Sequence, residues 1–247
     1  MDNQENSQVA AQRANREAMP TQPLRDSGKL QTAKPQSAAL ASPRPTMLLH
    51  SCCGPCSTSV IERLVDRFEL CIFFYNPNIT NSGEYQKRLA AEKHFIAAYN
   101  ETLPLDKQVK LIEGEYDPAS YLKAVRGLEA EPENGDRCTV CFELRMKRTA
   151  MEAEKLGMEN FTTTLSVSPH KSTARINAIG YELEKSYAPA FLDESFKKKD
   201  GFKRSIELSR EYGLYRQSYC GCIFSEREGA GADDPALECV LGADDTK

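Results

Sequence analysis

Residues 48–60 read Leu48-Leu49-His50-Ser51-Cys52-Cys53-Gly54-Pro55-Cys56-Ser57-Thr58-Ser59-Val60. A short apolar run ends in three cysteines packed around a Gly-Pro, and a helical pattern begins at once. Val60, Ile61, Leu64, Val65 and Phe68 recur at the spacing of one helix face. This places the cysteines at a strand-to-helix turn, the C-terminal edge of a strand in an α/β sheet, which is where ligands bind in open parallel sheets. Thiols at a helix N-terminus also meet a partial positive charge that favours their anionic form. The turn therefore reads as half of a metal site.

Outward from this turn, the pattern alternates. Glu69–Tyr75 reads as a buried strand closed by Asn76-Pro77-Asn78, and Cys71 inside it as an inert core residue. Asn81 and Glu84 have the spacing of a capping box and open a long helix, on which His94 is most simply a surface residue. Val109–Ile112 is a third strand, and Asp117-Pro118 starts a short helix. A loop then delivers Cys138-Thr139-Val140-Cys141, and a helix is expected from about Phe142 to Leu156. Phe161–Leu165 is a fourth strand, Ser166–Lys171 its loop, and Ala174–Tyr187 and Gly201–Tyr212 are helices, with 188–199 irregular between them. The alternation predicts an α/β fold, a parallel sheet with helices on both faces.

The chain of 247 residues suits one folded domain with tails, expected at residues 46–225. Residues 1–45 lack any aromatic residue and are rich in Gln, Ala, Ser, Pro and Arg, and 226–247 carry seven Asp/Glu against two Lys/Arg; both are expected to be disordered. Cys239 falls in the second tail and receives no role. No apolar run reaches a membrane-spanning length and no secretion signal opens the chain, so a cytoplasmic location is expected. A net charge of -4 means that any nucleic-acid surface must be a local patch.

Seven of the nine cysteines fall into three groups: Cys52, Cys53 and Cys56; Cys138 and Cys141; Cys220 and Cys222. Clustered cysteines without a secretion signal point to metal or redox chemistry rather than to a disulfide scaffold. Neighbouring cysteines diverge, which suits two corners of an iron–sulfur cluster better than one tetrahedral ion. A zinc site of Cys53, Cys56, Cys138 and Cys141 is the structural rival, and it leaves Cys52 and the last pair unused. Cys53-Gly54-Pro55-Cys56 is also the thioredoxin tetrapeptide, but Cys52 stands where thioredoxins carry Trp, and this chain has no Trp. Cys220-Gly221-Cys222 could close only a small ring around its glycine, and such a ring is readily reduced.

Two basic clusters accompany the cysteines: Arg145, Lys147 and Arg148, and then Lys197, Lys198, Lys199, Lys203 and Arg204 with Tyr212, Tyr215 and Tyr219 near them. Cations and aromatics together can grip ribose-phosphate and bases. Each cluster taken alone is more simply read as a solvated face.

Four ordered motifs, His50–Cys56, Tyr75–Ile79, Arg137–Arg145 and Tyr219–Cys222, resemble the QueH type of epoxyqueuosine reductase from about Met47 to Ser225. The resemblance implies reduction of the epoxide of epoxyqueuosine to the cyclopentene of queuosine at the tRNA wobble position, the last step of queuosine synthesis. It implies that Cys52, Cys53, Cys138 and Cys141 hold a [4Fe–4S] cluster and that Cys220 and Cys222 form a redox-active disulfide. It makes Cys56 a candidate ligand for an additional iron, since some family members carry Asp there. The implied partners are the tRNA and an unidentified electron donor, and the implied fold resembles the adenine-nucleotide α-hydrolase (HUP-like) class. The alternative function is a zinc-stabilised RNA-binding or thiol redox-sensing protein without catalysis.

Overall fold

The computed structural model describes residues 44–225. Apart from Arg44 and Pro45, the two expected tails and Cys239 lie outside the described residues. Five parallel strands, β1 (Thr46–Ser51), β2 (Glu69–Phe74), β3 (Lys110–Glu113), β4 (Asn160–Thr163) and β5 (Ala190–Phe191), run in the order β3-β2-β1-β4-β5. The longer helices among the described residues are α1 (Gly54–Leu64), α2 (Ser82–Glu101), α3 (Pro118–Ala124), α4 (Asp136–Lys155), α5 (Thr173–Glu184) and α6 (Gly201–Glu211). None is long and apolar enough to cross a membrane.

Successive strand side chains point to opposite faces, and the central strands are apolar on both. Met47, Leu49, Leu70 and Ile72 pack on one face with Val60, Ile61 and Leu64 of α1 and Phe95 and Ile96 of α2. Leu48, Cys71, Phe73 and Phe161 pack on the other with Phe142, Met146 and Ala150 of α4 and Ile176 and Ile179 of α5. The parallel sheet covered on both faces is therefore as expected. Cys71 is a core residue, 3% exposed, its thiol pushed up to about 11 by burial.

The helix starts are chemically explicit. Asn81 accepts a hydrogen bond from the Glu84 N–H (3.1 Å), and Asp117 accepts from Ala119 and Ser120. The Glu84 carboxylate does not complete the capping box; it turns inward to Arg88 (2.6 Å). His94 is exposed on α2, as expected, with Nε2 3.1 Å from the Tyr212 carbonyl.

Three differences from the sequence reading bear on the site and the sheet. Helix α4 starts at Asp136, so Cys138 and Cys141 lie inside its first turns rather than in a loop before it. Residues 136–141 carry no apolar period that would reveal this. The fourth strand stops at Thr163, whose hydroxyl accepts from the Leu165 N–H and tightens the chain into a 3-10 turn over Thr164–Val167. Strand β5 lies in the stretch read as irregular; two residues beside β4 are too few to show alternation.

The chain winds from β1 toward β3 in one direction and from β4 to β5 in the other. The order thus reverses between β1 and β4, which is the topological switch point. The cysteine turn follows β1 there, and the Thr164–Lys171 loop follows β4 beside it.

Candidate active site

Strand β1 ends at Ser51, and Cys53 caps α1 in extended conformation (φ -177°) without a side-chain cap bond. Its sulfur is therefore left for other work. The sulfurs of Cys52, Cys53 and Cys56 lie within 4.8 Å of one another. Cys53 is buried, and Cys52 and Cys56 are half-buried. The turn is wedged against α2: a Cβ on Gly54 would meet the Ala91 carbonyl carbon and oxygen at 2.9 Å and the Glu92 nitrogen at 3.0 Å. Gln217 Nε2 donates to Cys53 Sγ (2.8 Å), and the Thr164 hydroxyl lies 3.6 Å from Cys52 Sγ.

Hydrogen bonds from Cys53 and Cys56 hold the Cys52 thiol well below its ordinary value. The Cys53 thiol is pushed up to about 12, chiefly by bonding to Cys52, and Cys56 is raised by Cys52 and then Cys53. Without a cation the group holds one favoured thiolate, and a bound metal would expel the remaining protons.

Beneath the turn, His50 is fully buried, with Nδ1 2.8 Å from Thr163 Oγ1 and Nε2 3.0 Å from the Tyr75 carbonyl. Only a protonated Nε2 can bond that carbonyl, so Nδ1 accepts from the threonine. Burial, aided by the Arg145 charge, lowers its pKa to about 4, and the ring is neutral. Glu92 is also fully buried; it accepts from Ser51 Oγ (2.7 Å), and burial raises its carboxyl to about 7.

The second cysteine group enters on α4. Arg137, buried, donates to the Glu129 (3.0 Å) and Glu131 carbonyls and folds the preceding loop onto the helix. Cys138 Sγ accepts from the Asn134 N–H (3.3 Å), and Cys141 is buried with Tyr121, Val125 and Cys222. Cys52 and Cys138 pack against the same core, but the close three-sulfur group does not include Cys138 or Cys141. Arg145, 1% exposed, bonds the Cys141 carbonyl through Nε (3.2 Å), while its Nη2 is buried without a hydrogen-bond partner. Burial disfavours the charge of this guanidinium, and the neighbouring Cys141, Cys220 and Cys52 more than offset that, so its pKa is raised. A buried cation with an unused donor, ringed by sulfur, fits an anionic metal–thiolate group.

A cavity of about 270 Å³ opens over the switch point. Cys52, Cys56 and Cys220 contribute sulfur to its wall, Arg88, Arg145, Lys171 and Arg216 contribute cations, and Glu133 is the acidic member. The third cysteine group closes it from the C-terminal side. Cys220 and Cys222 are free thiols; Cys220 is half-buried on the cavity, and Cys222 is 5% exposed behind it. A hydrogen bond from Cys222, helped by Lys171, Arg145 and Arg88, holds the Cys220 thiol well below its ordinary value against burial, while Cys222 is raised chiefly by its bond to Cys220.

The basic clusters divide differently from the sequence reading. Arg145 belongs to the buried site rather than to an exposed face. Arg148 lies 3.5 Å from Glu152, and Arg204 is held by the Glu62 carboxylate (2.7 and 2.9 Å), tying α6 to α1. Tyr212 packs edge-on against Phe95 (5.1 Å), and Tyr215 donates to Glu84 (2.7 Å). Lys198 and Lys199 are exposed, whereas Lys197 Nζ donates to the Lys171 carbonyl (2.8 Å) and joins the cavity wall to the basic loop.

Sequence reasoning missed Arg88, Lys171 and Gln217. Arg88 left a signal: Glu84, Arg88 and Glu92 recur every four residues, among the apolar positions Tyr85, Leu89 and Ile96. Charges at that spacing on a core-facing stripe are buried only with partners. Lys171 and Gln217 lie in loops, where no periodicity marks a side chain as inward.

The sequence model of the family described as epoxyqueuosine reductase QueH matches residues 47–228. Three similar curated proteins bear that name. One from Streptococcus pyogenes serotype M1 is 41% identical over 186 residues, covering 75% of this chain and 72% of the relative. One from Staphylococcus epidermidis is 40% identical, covering 74% and 76% respectively. One from Thermotoga maritima is 36% identical, covering 73% of this chain and 90% of the relative.

Proposed function

The chain belongs to the epoxyqueuosine reductase QueH family, an oxidoreductase family of queuosine biosynthesis, and we propose that its chemistry takes place in the cavity between Cys52 and Cys220. The substrate is epoxyqueuosine in the wobble position of tRNA, and the product is queuosine. Converting the epoxide to an alkene consumes two electrons and two protons and releases the oxygen as water. Side chains other than a dithiol supply no such electrons, so the reaction draws on a redox cofactor, a dithiol or both.

Cys52, Cys53, Cys138 and Cys141 are the residues assigned to a [4Fe–4S] cluster, which when bound supplies single-electron transfer. Cys56 completes the close three-sulfur group and is assigned to an additional iron. The observation that carries this reading is the convergence of three sulfurs and the unsatisfied Arg145 Nη2 at the switch point. Two helix N-termini, those of α1 and α4, carry the assigned cysteines, and their partial positive charges favour the thiolate forms.

The protein's own groups have separable tasks. The ammonium of Lys171 and the guanidinium of Arg145 face the cavity, where they offer hydrogen bonds to the departing oxygen. Cys220 and Cys222 are assigned as a reversible dithiol–disulfide pair. The folded reductase corresponds to residues 46–225. Its strand order, with the site on the carboxyl edge, supports the likeness to the adenine-nucleotide α-hydrolase class. The reaction is assigned to the cytoplasm, with an unidentified electron donor as the second partner.

The test is turnover of tRNA bearing epoxyqueuosine by anaerobically purified protein, read as conversion of the modified nucleoside in tRNA digests. Cys220→Ser and Cys222→Ser should keep iron and tRNA affinity while losing turnover. Loss of iron in either variant would make that cysteine a ligand and overturn the division.

A further inference from the structure

The turn that carries Cys220 and Cys222 is not held by packing alone. Arg88 reaches it from α2 and is 2% exposed. Its Nη1 donates to the Cys220 carbonyl (2.9 Å) and its Nη2 to the Tyr219 carbonyl (3.1 Å). Nε is held by Glu84 (2.6 Å), whose other oxygen accepts from the Tyr215 hydroxyl (2.7 Å). The Tyr219 ring lies over the guanidinium, 5.3 Å from its carbon. Gly221 is pressed against the same group: at φ +107° it adopts a conformation suited to glycine, and a Cβ there would meet Arg88 Nη1 and Ile79 Cγ1 at 3.0 Å. The Gly221 carbonyl accepts from the Thr80 N–H (3.1 Å), so the loop before α2 and the helix itself grip the turn together.

All three nitrogens of the planar fork thus donate to this one turn and its clamp. A lysine could supply the charge but not the three-point grip. The arrangement also orients the two sulfurs: with both carbonyls drawn toward α2, Cys220 lines the cavity and Cys222 is turned to the buried side against Tyr121.

We propose that Arg88 is the positioning residue of the Cys220–Gly221–Cys222 turn, presenting Cys220 to the substrate cavity and stabilising the reduced pair by its charge. This rests on the reading of these cysteines as a redox pair. Oxidation of the pair forms one bond between Cys220 Sγ and Cys222 Sγ and releases two electrons and two protons. Those electrons and protons balance the conversion of an epoxide to an alkene and water. A fixed cation beside the sulfurs favours the reduced, partly anionic form and so raises the pair's reduction potential.

The test equilibrates anaerobic holoprotein in glutathione buffers of graded poise and follows the Cys220–Cys222 crosslink by peptide mapping, with iron content as a control. Arg88→Met should make the pair about tenfold harder to reduce, a midpoint about 30 mV lower. It should also lower kcat while iron remains. Arg88→Lys should keep the midpoint within threefold of wild type yet still lose kcat, because the carbonyl grip is gone. The double variant Glu84→Gln/Arg88→Met leaves no unpaired buried charge; it should show the lowered midpoint and decides the matter where the single variant does not fold. A wild-type midpoint in the Met variants, or equal shifts in Met and Lys variants, overturns the proposal. Absence of any crosslink in wild type removes instead the redox-pair reading beneath it.

Discussion

Gly54→Ala adds one methyl group at the point where the cysteine turn meets α2. The glycine does not owe its place to backbone conformation, because it is the first residue of α1 and is not among the glycines with positive φ. It owes it to contact: the added Cβ would sit 2.9 Å from the carbon and oxygen of the Ala91 carbonyl and 3.0 Å from the Glu92 nitrogen, all backbone atoms of a 20-residue helix. Backbone in a packed helix cannot rotate away, so α1 must move. Overpacking of this kind costs about 1–3 kcal/mol, and alanine's better helix propensity returns at most about 1 kcal/mol. A net loss of about 1–2 kcal/mol should lower Tm by roughly 2–8 °C for a domain of this size. Displacement of α1 also spreads the sulfurs of Cys53 and Cys56, so iron retained after desalting should fall more than the Tm shift alone explains. Calorimetry and iron analysis on one anaerobic preparation measure both. Wild-type Tm with wild-type iron would refute the claim that close approach of α1 and α2 sets the sulfur geometry.

Further outcomes follow from the same contacts. Burial raises the Glu92 carboxyl to about 7 from an ordinary 4.5, so between those values the folded chain binds a proton the unfolded chain has lost. Stability should therefore fall as pH rises from about 5 to 8, by roughly 3 kcal/mol in full; in Glu92→Gln that slope should flatten, and an unchanged slope in urea titrations would show the carboxyl is not responsible. Lys198→Ala/Lys199→Ala removes two exposed cations and should reduce the slope of log affinity for tRNA against log salt by about 1–2, leaving the iron spectrum intact; an unaltered slope returns these lysines to a solvated face. Arg145→Met should lose iron, because the buried guanidinium, with its unsatisfied Nη2, would no longer offset thiolate charge at the cysteines it interacts with; full iron content would remove that role.

The α/β fold was legible wherever a pattern ran long enough to repeat. Met47–Leu49 and Leu70–Phe74, buried on both faces, announced central parallel strands, and the Cys-rich turn after the first was placed correctly at a helix N-terminus. The start of α4 was not legible, because Asp136–Cys141 are chosen for the site and not for an apolar stripe. Strand β5 was too short to alternate. At the site, cysteine spacing exposed all three groups, whereas the cations among them stayed hidden. Arg145 and Arg204 look alike in sequence, yet one is buried against thiols and the other is neutralised by Glu62. Only the packing of α4 over the sheet and of α6 over α1 separates them.

The central claim is that the cysteines of β1–α1 and of α4 together hold one iron–sulfur cluster beside the cavity. Its most direct measurement is the iron, zinc and acid-labile sulfide content of anaerobically purified wild type, Cys138→Ala and Cys141→Ala. The account predicts brown wild-type protein with iron and labile sulfide, and loss of both in each variant. Colourless protein that holds zinc without sulfide, or variants that retain their full iron and sulfide, would contradict it.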